Sequence, residues 1–212
     1  MKANHNSLAI IFDADGTLLD SMYIWQELGG RYLRSVDVIP ERNLSKILYP
    51  MSLEQSCAYL QAHYVPERSI DEIRQGIVRM IQDFYIDEVE LKDGVKNFID
   101  SMRQKNIPMV IATAGDRILL NAALERNKIA NYFEAVFTCS ELETTKHEPK
   151  IYLACAEFLG LAPEYIAVFE DSLFAIETAK AAGFITFGVE DESNVYEREK
   201  IIEIADYYVD FR

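Results

Sequence analysis

Two carboxylates, Asp13 and Asp15, follow an unbroken apolar run from Leu8 to Phe12 and precede Gly16-Thr17. A short continuous apolar run that stops at a turn signal reads as a buried strand of a parallel sheet. The acids then stand at the strand's carboxyl end, where open α/β sheets hold their ligands. A carboxylate there can attack phosphorus and form an aspartyl phosphate, splitting one hard hydrolysis into two easier steps. Asp13 is the first polar group after the strand, so it is the best placed and the least mobile. Asp15 lies two residues on, across a turn that Gly16 permits.

A later apolar run, Tyr165 to Phe169, also ends in acids, Glu170-Asp171. A buried strand should not end in adjacent acids unless something positive faces them. Up to four carboxylates at one place raise each other's pKa and repel a phosphate dianion. A divalent cation resolves both problems. Oxygen ligands suit Mg²⁺, which keeps several waters and can bind a substrate phosphate directly. Asp171 is also placed to open the next helix as an N-cap, and the two roles are compatible.

The elements that must carry these groups alternate between strand and helix. Helical spacing from Val95 to Lys105 leads to the run Pro108 to Thr113, which ends in a hydroxyl. Helix 117–128, strand 135–138, helix 151–159, strand 165–169, helix 173–182, strand 184–189, helix 195–204 and strand 207–209 come after it. Gly183 fits a helix C-terminus. This alternation predicts a doubly wound parallel sheet. Residues 21–88 read differently, as helices only: 22–36, one opened by Ser52 with Gln55 three on, and 70–85. The expected organisation is an α/β core of residues 1–20 and 91–212 with an all-α insert, 21–90.

Composition narrows the partners. The 212 residues carry a formal net charge of −14. Nucleic-acid binders need positive charge to displace counterions, so DNA and RNA are not expected partners. No apolar run reaches membrane-spanning length. The N-terminus is polar and short for a signal peptide. Cys57, Cys139 and Cys155 show no CxxC or zinc spacing and read as small buried residues. A cytoplasmic monomer is the expectation.

The motifs Asp13-Ala-Asp15-Gly16-Thr17, Thr113, Lys146 with Pro149, and Glu170-Asp171 occur in this order at strand ends. Together they resemble the four motifs of the haloacid dehalogenase superfamily. The helical insert is similar to the cap of its beta-phosphoglucomutase-like branch. The resemblance implies a Rossmann-like core, with Asp13 as nucleophile and Asp15 as the acid/base. It implies phosphate contacts from the Thr113 hydroxyl and the backbone N–H groups after it, Ala114 first. It also implies Mg²⁺ on the Asp13 carboxylate, the Asp15 carbonyl and Asp171, with Glu170 close or bridged by water. The family pattern sets a lysine three residues before a proline, so Pro149 selects Lys146 to neutralise Asp13 and a phosphate oxygen. Lys150 stands where the family usually has an acid, which makes it a rival.

The expected reaction is Mg²⁺-dependent hydrolysis of a small phosphorylated metabolite. A beta-phosphoglucomutase-like phosphomutase uses the same aspartate pair, but its cap carries a histidine where this chain has Trp25. It also has cap cations that Tyr49-Pro-Met-Ser-Leu53 lacks. A non-catalytic binding protein of this shape is the third reading, and the intact acids oppose it. Trp25 reads first as cap core and second as a stacking surface. Glu27, Arg31, Lys46 and Tyr49 are candidate anchors for the substrate. His5, His63 and His147 are assigned no role. Hinges are expected at 20–23 and 88–93.

Overall fold

The computed structural model describes residues 9–212; His5 and the expected strand start at Leu8 lie outside the described residues. Six strands form one parallel sheet: β1 (Ala9–Phe12), β2 (Met109–Thr113), β3 (Ala135–Thr138), β4 (Ile166–Glu170), β5 (Ile185–Val189) and β6 (Tyr207–Val209), in the order β3-β2-β1-β4-β5-β6. The strand order reverses direction at β1, between β2 and β4. Phe12 pairs with Ile111 on one side and with Phe169 on the other. That register brings the residues after β1 level with the ends of β2 and β4.

Every residue of β1, β2 and β4 is buried. Alternate residues serve opposite faces, which is why these strands are apolar throughout. One face takes Ala9, Ile11, Val110, Ala112, Ile166 and Val168. These pack against Ile151, Tyr152 and Cys155 of a helix spanning Lys150–Leu159. On the other face Phe12 stacks on Phe169 at 5.1 Å, and Phe98 meets it edge-on at 6.2 Å.

The chain divides into two compact units, one comprising residues up to Ser21 with Val89–Arg212, the other Met22–Glu88. The second holds α1 (Ile24–Ser35), α2 (Leu44–Leu48), α3 (Leu53–His63) and α4 (Ile70–Asp83), then one wide π-type turn, Phe84–Glu88. Ser52 with Gln55 and Ser69 with Glu72 form capping boxes that start α3 and α4. Each satisfies two otherwise orphaned N–H groups. Gly76 lets α4 approach Tyr32 of α1, since a Cβ there would come within 2.6 Å of the ring.

One expectation for this unit needs correction: Trp25 is 51% exposed, so it is not core. Helical spacing marks an apolar face but not its edges. The short helix α2 has 5 residues between Pro40 and Pro50, and neither proline lies inside it.

The sheet unit adds α5 (Val95–Gln104), α6 (Arg117–Arg126), α7 (Lys150–Leu159), α8 (Leu173–Ala181) and α9 (Arg198–Ile204). The last begins three residues later than its apolar spacing suggests, because Asp191 caps a tight turn over Glu192–Asn194 first. All three cysteines are buried and free. Among the described residues no helix is long and apolar enough to cross a membrane.

Candidate active site

The loop after β1 is one compact turn. The Ala14 carbonyl accepts the N–H groups of Leu18 and Leu19 at 2.9 and 2.8 Å, and Gly16 adopts φ +79°. That left-handed conformation is the reason for glycine at this point. The Asp13 N–H is anchored on the Phe169 carbonyl at 2.9 Å, so the first acid is fixed to β4 as well as β1.

Asp13 is 6% exposed and forms an ion pair with Lys146, itself 6% exposed. The Lys146 ammonium also donates to Glu170 Oε1 at 2.5 Å. Lys150 does not compete: its ammonium sits on the Leu142 carbonyl, at the exposed start of α7. Lys146 comes from a loop closed by two backbone bonds, Cys139 N–H to the Thr113 carbonyl and Thr144 N–H to the Cys139 carbonyl.

Glu170 is heavily engaged. Its Oε1 accepts from Lys146 and, at 3.1 Å, from the buried Tyr152 hydroxyl, and its Oε2 faces the N–H groups of Asp171 and Ser172. Asp171 is 2% exposed and takes two bonds from the Asn194 amide. The next helix, α8, has Ser172 at its N-cap position, so Asp171 does not serve as the cap. Carboxylate oxygens of Asp13, Glu170 and Asp171 lie within 4.8 Å of one another.

Electrostatics reflect this crowding. Burial and then Glu170 push the Asp13 carboxyl well above its ordinary value, and Lys146 opposes them. Burial and Glu170 push Asp171 up to about 8. Burial alone would lower the Lys146 value, but Asp13 and Glu170 carry it well above its usual range. One ammonium therefore faces three buried carboxylates. The excess negative charge and the three converging oxygens fit a divalent cation.

The second acid and the hydroxyl stand together on the other flank. Asp15 Oδ1 accepts from the Ser21 hydroxyl at 2.7 Å. Thr113 Oγ1 accepts the Gly115 N–H at 2.9 Å, which leaves its own proton to give away. A Cβ on Gly115 would come within 3.1 Å of Asp15 Oδ2 and 3.2 Å of Thr113 Oγ1. Glycine thus lets the backbone close in beside both groups, and Ala114 is exposed at the rim. His147 is exposed and stacks on Phe174 at 4.3 Å, while His63 stacks on Tyr59.

Ser21, Tyr152, Lys92 and Asn194 were not singled out in the sequence. Lys92 donates to the Gly16 carbonyl at 2.8 Å, to the Glu190 carbonyl and to Asp191. No motif marks these four. The only signal was the turn-forming Asp191-Glu-Ser-Asn194 after β5, which sits at a strand's carboxyl end.

Residues 10–189 match the haloacid dehalogenase-like hydrolase family. The chain belongs to that family. This HAD-like hydrolase is 25% identical to a phosphorylated carbohydrates phosphatase of Thermotoga maritima, over 82% of this chain and 81% of that protein. It is 27% identical to the fructose-1-phosphate phosphatase YqaB of Escherichia coli, over 82% and 92%. It is 28% identical to hexitol phosphatase A of the same species, over 82% and 78%. A crystal structure described as a putative beta-phosphoglucomutase from Thermotoga maritima shares the fold with a TM-score of 0.82 at 24% identity, covering 96% and 94%. The family and the α/β fold expected from the four motifs are both borne out.

Proposed function

We propose that this HAD-like hydrolase is a Mg²⁺-dependent phosphatase of small phosphorylated sugars or sugar alcohols, working through an aspartyl phosphate. The observation that carries the reading is the Lys146–Asp13 pair set beside Glu170 and Asp171, with Asp15 held separately by Ser21. A nucleophile and an acid/base in different environments can do different work from the same residue type. The phosphatase names of the relatives support the class of substrate.

In this mechanism an Asp13 oxygen attacks phosphorus and the bond to the leaving sugar oxygen breaks. Asp15 gives that oxygen its proton. Asp15 then takes a proton from water, whose oxygen attacks phosphorus and breaks the bond to Asp13. Phosphate leaves, and both acids return to their starting state. The Thr113 hydroxyl and the backbone N–H of Ala114 hold phosphate oxygens. Lys146 favours the ionised form of Asp13 against its burial and offsets charge on the transferring group. Asp13 and Asp171 would hold Mg²⁺ with the Asp15 carbonyl, Glu170 remaining beside it on Lys146. When bound, the cation neutralises the acids and draws charge from the phosphoryl oxygens. Met22–Glu88 is the cap unit of this reading.

The test is phosphate release from a panel of sugar and polyol phosphates with Mg²⁺ or with EDTA. Metal-dependent release is expected. No release from any member sinks the proposal, and isomerisation of glucose 1-phosphate without net release points to a mutase.

A further inference from the structure

The loop after β5 is braced more firmly than its surface position requires. Asp191 Oδ1 accepts the Ser193 N–H at 2.9 Å and the Ser193 hydroxyl at 2.6 Å. Its Oδ2 pairs with Lys92, which also holds the carbonyls of Gly16 and Glu190. One aspartate therefore ties this loop to the turn that carries Asp15. At the end of the braced turn stands Asn194. Its Nδ2 donates to the Asp171 carbonyl at 2.8 Å and to Asp171 Oδ2 at 2.7 Å. Both amide hydrogens are spent on a single residue 23 positions away.

We propose that Asn194 is a positioning residue that makes Asp171 a one-oxygen ligand, and so favours Mg²⁺ over Ca²⁺. The backbone bond locks the amide in place, and the side-chain bond occupies Oδ2. Oδ1 is the other oxygen, 3.5 Å from the Ser172 hydroxyl. Mg²⁺ demands a compact octahedron of single oxygens. Ca²⁺ accepts six to eight and readily takes both oxygens of one carboxylate. Fixing one oxygen of Asp171 penalises the larger ion and preorganises the site for the smaller. Groups that orient a ligand in this way are typically worth about 10- to 100-fold in metal affinity.

The inference rests on the metal-dependent reading of the cluster but not on hydrolysis. Its test is calorimetric titration of the metal-free protein with MgCl₂ and with CaCl₂, for the wild type, Asn194→Ala and Asn194→Asp. In Asn194→Ala, Mg²⁺ affinity should fall by about 10- to 100-fold. Ca²⁺ affinity should fall less, so the ratio of the two moves toward Ca²⁺. Should the alanine variant not fold, Asn194→Asp, which replaces the donor with an acceptor of the same size, must show the same shift in ratio. Equal weakening of both ions overturns the proposal, because loss of local structure alone would do that. Unchanged binding, or a wild type that binds no Mg²⁺, overturns it as well. A wild type that binds Mg²⁺ but hydrolyses nothing removes the phosphatase reading and leaves this result standing.

Discussion

The Ser21 hydroxyl donates to Asp15 Oδ1 at 2.7 Å from a position with no solvent exposure. The bond fixes the side chain that the proposed mechanism uses for both proton transfers. Ser21→Ala removes it without adding bulk, and kcat should drop by roughly tenfold, the scale of a small misplacement of an acid/base group. The loss should be larger for sugar phosphates than for p-nitrophenyl phosphate, whose leaving group needs no proton. Steady-state assays of both substrates decide this; equal losses would contradict the role.

Asp13 and Asp15 should fail in different ways. Asp13→Asn removes the proposed nucleophile and should form no phosphoenzyme. Asp15→Asn should still be phosphorylated by p-nitrophenyl phosphate, release one burst of nitrophenolate and then stall, because no base activates water. Acid-quench trapping of labelled phosphate on protein separates the two. A steady Asp15→Asn turnover would remove Asp15 from the mechanism.

Lys146 and Lys150 are close in sequence but occupy unlike surroundings. Lys150→Ala should leave phosphatase activity within about twofold, since its ammonium serves an exposed carbonyl. Lys146→Met should abolish activity. It should also cost about 3–5 kcal/mol of stability where the metal is absent, because Asp13 and Glu170 are left buried without a counter-charge. Denaturant unfolding in EDTA measures the second effect.

The acid cluster predicts an unusual pH dependence for the metal-free protein. Asp171 ordinarily titrates at 3.8 and is raised to about 8 by burial and Glu170. Asp13 is raised for the same reasons. The folded state therefore keeps protons that the unfolded chain has released, and stability falls as pH rises across that window. Carboxyls whose values are depressed, such as Asp100 and Glu141, act at lower pH, and Lys146 stays charged throughout. The melting temperature in EDTA should decline from about pH 5 to about pH 8, and Mg²⁺ should restore it at the upper end. Asp171→Asn should flatten the slope and abolish the restoration. A melting temperature that climbs over this range would refute the assignment.

The parallel sheet, the helical insert and the placement of the acids at strand ends are all legible along the chain. Those features are written locally: an apolar run of about five residues is a buried strand, and the residues just past its carboxyl end must face the ligand side. Asp13, Asp15, Thr113, Glu170 and Asp171 were legible for that reason. The choice of Lys146 over Lys150 follows from the Pro149 register of the family pattern, and only the folded path shows where the two ammonium groups part. The exposure of Trp25 depended on helix phase, which one apolar stripe leaves open at its edges. Ser21, Tyr152, Lys92 and Asn194 carry ordinary residue types in unremarkable surroundings. Their roles arise from hydrogen bonds to residues 6 to 99 positions away, and only the tertiary structure brings those partners within reach.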